Sequence, residues 1–196
     1  MYKNKASGRH ARIMEAYLGG YRKGLHVREI AKEAKISPSA ASYMTRQLEG
    51  EGILRHTIEG RNKKYFINLG NPASRDMLAN AEIARRTATM EKYFIIKKLA
   101  AEVNFGSSIT LLFGSFAKGT ASEESDIDVM MIGKNNALEN EIEKFGKLYG
   151  KEVHAISLPE KDFMTGKNEL ASEVMKSHAV INNAEGFVGI VWRMEA

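Results

Sequence analysis

The sequence predicts an α+β chain in two parts, a basic helical N-terminal third ending in a hairpin and a C-terminal mixed α/β sheet, with a long helix joining them. Three observations predict it. Apolar residues recur at helical spacing through the first third and again from Ala73 to about Val103. From Ser108 onward, short apolar runs alternate with loops and helical stretches. Charge is divided unevenly: residues 1–70 carry 14 Lys and Arg against 6 acids, whereas residues 71–196 carry 15 against 18. Such asymmetry points to a nucleic-acid-binding part beside a part with other duties, a basic surface kept for solubility being the plainer alternative.

The elements follow in order. Arg9 to Leu18 sets Ile13, Ala16 and Tyr17 on one side of a helix that Gly19 and Gly20 end. Val27 to Ala34 is a second helix with Val27, Ile30, Ala31 and Ala34 inward. Ser37 is the expected N-cap of a third, and Pro38 takes its first position, where a missing amide hydrogen is harmless. That helix runs to about Glu49 and buries Ala41, Met44 and Leu48. Strands Ile53–Ile58 and Lys64–Ile67 flank the turn Glu59-Gly60-Arg61-Asn62. Asn71-Pro72 marks the boundary before the long helix, because a residue preceding proline is pushed out of helical geometry. Met77, Ile83, Met90, Phe94 and Leu99 are among the apolar positions of that helix, which would connect domains at 1–70 and 105–196. Strands are expected at Ile109–Phe113, Ile127–Ile132 and Val153–Leu158, with a helix near Ala137–Tyr149 before the last of them. The tail from Ser157 to Ile190 reads as loop, helix, helix and short strand.

Composition removes several classes. With no cysteine there is neither a disulfide nor a thiolate zinc site. No apolar run approaches the roughly 20 residues that span a bilayer, and the basic leader MYKNKASGRH enters no apolar stretch. A cytoplasmic address and no membrane partner are the expectation.

Ile36 to Leu54, ISPSAASYMTRQLEGEGIL, with the basic hairpin behind it, resembles the winged helix-turn-helix regulators of bacteria and archaea. The resemblance implies a duplex DNA partner, with the helix from Ser37 in the major groove and the wing on the backbone or minor groove. The exposed face of that helix would present Ser39, Ser42, Tyr43 and Arg46 to phosphates or base edges. Arg61, Lys63 and Lys64 on the wing would add sequence-independent attraction. Winged helices commonly act as dimers, so a homodimer is expected, with the long helix as its interface; a module used only for dimerisation or protein contact is the alternative.

The most specific pattern is GSFAKGTASEESDIDV, Gly114 to Val129. A buried strand delivers Gly114-Ser115 at its end; glycine admits a polyanion close to the backbone, and Ser115 offers a hydroxyl and an amide to phosphate oxygens. On the next strand side chains alternate, so Asp126 and Asp128 share a face while Ile127 enters the core. Paired carboxylates favour a divalent cation between them, Mg2+ (or Mn2+) being the natural occupant beside substrate phosphates.

Gly-Ser, a spacer containing Gly119, then Asp-x-Asp closely resembles the minimal nucleotidyltransferases of the DNA polymerase beta superfamily, and with the N-terminal match the resemblance covers nearly the whole chain. It implies that Gly114, Ser115, Lys118 and Ser125 bind a nucleoside triphosphate and that Asp126 and Asp128 hold the metal. The implied reaction is attack by a hydroxyl on the α-phosphate, with pyrophosphate leaving. The family usually adds a third carboxylate on the neighbouring strand. Glu152, the only acid of GKEVHAIS, is the choice here as metal ligand and catalytic group, and its departure from a plain strand aspartate bears directly on turnover. His154 shares the face of Glu152 and would serve as a base, a hydrogen-bond partner or merely a surface residue. Two functions follow: a DNA-binding transferase moving AMP from ATP to a hydroxyl on a protein or nucleic acid, or a DNA-binding transcriptional regulator whose transferase fold only senses nucleotide.

Overall fold

In the computed structural model, which describes residues 5–195, the chain divides into two units. One runs to Ala84 and takes in the chain from Val191; the other spans Arg85–Ile190. Residues 1–4 of the basic leader lie outside the described residues.

The first unit begins with α1 (Lys5–Glu15), a two-residue strand β1 (Leu25–His26), α2 (Val27–Glu33) and α3 (Pro38–Gly50). Ser37 caps α3 as expected, its hydroxyl accepting from the Ala40 amide at 3.2 Å, and Pro38 stands in the first turn. Ile13, Tyr17, Ile30, Ala41 and Leu48 are fully buried together with Tyr65, so the periodic positions of the three helices do form the core. The Tyr17 hydroxyl donates to the Tyr65 carbonyl at 3.1 Å, and burial pushes its pKa up. Strands β2 (Leu54–Glu59) and β3 (Asn62–Ile67) pair antiparallel from Leu54↔Ile67 to Glu59↔Asn62. β1 adds to the far edge of β3, giving the order β1-β3-β2; a strand of two residues is too short to announce itself by alternation.

The long helix is broken. It consists of α4 (Pro72–Lys92) and α5 (Phe94–Glu102), with Tyr93 extended between them at φ −122° and ψ 103°. Phe94, one of the apolar positions of the expected helix, directly follows the break and is 69% exposed, while Ile96 and Leu99 are buried.

In the second unit β4 (Ile109–Leu112), β5 (Ile127–Ile132), β6 (Val153–Leu158) and β7 (Ala179–Asn182) form a mixed sheet in the order β6-β5-β4-β7. β4 is antiparallel to both β5 and β7, and β5 is parallel to β6. Between β4 and β5 lies the short helix α6 (Gly114–Lys118); α7 (Asn136–Tyr149) makes the crossover from β5 to β6. Ile127, Val129 and Met131 enter a core with Ile96, Leu99, Phe116, Leu138, Ile142 and Phe145, and alternation therefore turns Asp126 and Asp128 to the opposite face. After β6 come α8 (Glu160–Met164) and α9 (Glu169–Lys176), then β7. The tail does not finish on the strand: Asn183 turns at φ 57°, its side chain accepts from the Gly186 amide at 2.9 Å, and α10 (Ala184–Glu195) follows.

Candidate functional site

The parallel pairing of β5 and β6 builds the site. Its register sets Asp128 opposite His154, and the Ile127 amide donates to the Glu152 carbonyl at 3.0 Å, which brings Glu152 level with Asp126 just before β6 starts. Asp126, Glu152 and His154 each offer a ligand atom, and these atoms lie within 4.8 Å of one another. Asp128 joins them through His154: Nδ1 of the imidazole is 3.2 Å from Oδ1 of Asp128, and Nε2 is 3.2 Å from Oε1 of Glu152. Hydrogen bonding to Asp128, then to Glu152, raises the His154 pKa above its ordinary value against the opposing effect of desolvation. The Glu152 side chain is 68% exposed, so it is open to a substrate or a cation.

Gly114 closes the other side. It has φ +64°, and a Cβ placed on it would collide with Oδ2 of Asp128, so only glycine lets the end of β4 lie against that carboxylate. Ser115 follows in the first turn of α6 and its carbonyl accepts from the Thr120 amide at 2.9 Å; Gly119, at φ 75°, ends the helix. Lys118 is exposed on this turn. The Ser125 hydroxyl accepts from the Ser122 amide at 2.9 Å and so shapes the turn that leads into Asp126. Lys92, at the end of α4, was not among the expected residues. Its ammonium donates to the Gly119 carbonyl at 2.6 Å, which adds a cation to the glycine loop. Nothing in the local sequence pairs Lys92 with a loop 27 residues away.

Carboxylate oxygens with one imidazole nitrogen are a donor set that fits a divalent cation. The same end of the sheet sets that donor group beside the Gly114-Ser115 turn, which approaches the Asp128 carboxylate.

On the first unit, Ser39, Tyr43 and Arg46 are exposed on α3, with Tyr43 at 65%, and Ser42 is half-buried with its hydroxyl accepting from Arg46 at 3.2 Å. Arg61 is exposed at the hairpin turn. Lys63 and Lys64 are engaged within the domain, Lys63 with Glu49 at 3.2 Å and Lys64 with Glu59 at 3.3 Å. The residues expected on the helix and on the wing all lie in the first unit, two of them in ion pairs. Among the described residues no helix is long and apolar enough to cross a membrane.

Comparison with known families agrees with both halves. A model described as nucleotidyltransferase domain matches residues 95–181, and one described as IclR helix-turn-helix domain matches residues 9–57. No curated protein and no solved structure matches the chain. The first match takes in β4, β5, β6 and most of β7 with the Gly-Ser turn and the carboxylates, and the second takes in most of α1, all of α2 and α3 and most of β2, so the chain joins a DNA-binding helix-turn-helix domain to a nucleotidyltransferase domain.

Proposed function

We propose that the protein binds duplex DNA through α3 and the wing and transfers a nucleotide, AMP from ATP, to a hydroxyl on a protein or nucleic acid. The observation that carries the catalytic half is the convergence of Asp126, Asp128, Glu152 and His154 beside the Gly114-Ser115 turn. The turn receives the triphosphate, with the Ser115 hydroxyl and amide and the Lys118 ammonium directed to its oxygens. Asp126, Asp128 and Glu152 would hold Mg2+ or Mn2+, which when bound supplies charge stabilisation to the phosphoryl oxygens and the leaving group. Glu152, exposed and close to His154, accepts the proton of the attacking hydroxyl. The hydroxyl oxygen forms its bond to the α-phosphorus as the bond to the bridging oxygen of pyrophosphate breaks, so one phosphoanhydride is exchanged for one phosphoester. His154, whose Nδ1 is 3.2 Å from Oδ1 of Asp128, orients that carboxylate.

The test is incubation of the full chain with α-labelled ATP, Mg2+ or Mn2+, and candidate acceptors, alongside the double variant D126N/D128N. Label should pass to an acceptor with wild type and fall by at least about a thousandfold in the variant. Transfer that survives the double substitution refutes the site. Nucleotide binding without transfer across all acceptors and both metals points instead to a nucleotide sensor on a DNA-binding regulator.

A further inference from the structure

The residue that faces Asp128 across the β5–β6 ladder is a histidine, and its ring is not turned away from the carboxylates. Resting on the metal-site reading above, we infer that His154 is itself a metal ligand through Nε2, and that this makes the site selective for an imidazole-accepting transition ion such as Mn2+ over Mg2+. The argument is geometric. Two donor atoms on one ion at about 2.1 Å each are separated by at most about 4.2 Å. Adjacent donors on such an ion stand about 3.0 Å apart; Nε2 of His154 and Oε1 of Glu152 are at 3.2 Å, and no pair among Asp126, Glu152 and His154 exceeds 4.8 Å, so closing on a cation requires shifts of under about 2 Å, within the reach of exposed side chains. A cation held by Glu152 calls for the Nε2 lone pair, since Nε2 is the nitrogen beside Glu152 at 3.2 Å, and Oδ1 of Asp128, 3.2 Å from Nδ1, is then placed to accept the Nδ1 hydrogen. A carboxylate that orients a ligating imidazole in this way fixes its tautomer and raises its basicity. Mg2+ prefers oxygen ligands and keeps much of its water, whereas imidazole suits the first-row transition ions, so exchanging one oxygen donor for His154 moves the preference in that direction.

The experiment uses the full chain with inorganic triphosphate, which carries no nitrogen of its own. Mn2+ binding is followed by loss of the free-ion electron paramagnetic resonance signal, Mg2+ binding by competition, and the coordination by electron spin echo modulation from 14N. Wild type should show imidazole nitrogen modulation. H154D, which puts an oxygen donor in place of the imidazole, should lose that modulation and lower the ratio of Mn2+ to Mg2+ affinity by roughly tenfold or more; H154Q is the second variant should H154D fail to fold. Mn2+ bound in a manner that D126N/D128N abolishes, yet without nitrogen modulation or with an affinity ratio unchanged in both His154 variants, overturns the inference and leaves the metal-site reading standing. Absence of Mn2+ binding by wild type, with and without triphosphate, overturns both.

Discussion

At Gly114 the backbone turns with φ +64° and a Cβ would meet the carboxylate of Asp128, so any side chain there introduces local strain and displaces a functional group at once. The left-handed conformation alone costs a non-glycine residue about 1 kcal/mol, and the displaced Asp128 takes His154 with it through their hydrogen bond. G114A should therefore lower stability in urea unfolding by about 1–2 kcal/mol and weaken nucleotide binding, measured by calorimetry, by roughly tenfold or more. Nucleotide affinity equal to wild type would show that the glycine serves the turn and not the ligand. Residue by residue, the geometry of the candidate site was readable where it is local. Gly114, Ser115, Asp126 and Asp128 stand within one stretch, and strand alternation dictates their faces. Lys92 and the pairing of His154 with Asp128 were not readable in the same way, because a ladder register and a helix end 27 residues from its partner belong to tertiary structure.

Among elements, α3 and the wing are fastened by Glu49, which stands near the end of the helix, accepts from Lys63 on β3 at 3.2 Å and is hydrogen-bonded to His56 on β2. Burial works to raise the Glu49 pKa, but the hydrogen bonds from Lys63 and His56 outweigh it and the net direction is down from 4.5. A depressed carboxylate pKa contributes stability that is present above the unfolded value and is lost as pH falls through the folded one. The helix-turn-helix unit should accordingly weaken as pH drops below about 4.5. E49Q should be less stable than wild type by roughly 0.5–1 kcal/mol at pH 7, with the two converging in acid; parallel pH profiles from thermal melts would dismiss the clamp. Element type was legible wherever periodicity ran long, as in α3 and α7. It failed at the short strand β1, at the Tyr93 break and at α10, where the deciding features are edge pairing, a single extended residue and an Asn turn.

For the whole molecule, the excess of Lys and Arg belongs to the helix-turn-helix half, while in the other half three carboxylates, Asp126, Asp128 and Glu152, stand at the β5–β6 end. Fold class and the presence of both domains were legible because each carries its own local signature, a capped helix before a basic hairpin and a Gly-Ser turn before Asp-x-Asp. How much of the basic charge is available to DNA was not legible, since that depends on ion pairs. Lys63 and Lys64 are partly neutralised by Glu49 and Glu59, whereas Arg61 is exposed at the hairpin turn and Arg46 on α3. Each phosphate neutralised contributes about −0.9 to the slope of log affinity against log salt. Duplex binding by the full chain should therefore fall steeply with salt, and R46A or R61A should each flatten the slope by about one. E59Q, which releases Lys64 from its partner, should strengthen binding at low salt without changing the preferred sequence. Fluorescence anisotropy with one labelled duplex across a salt series measures all four proteins, and a slope that R46A and R61A leave unchanged would remove these arginines from the interface.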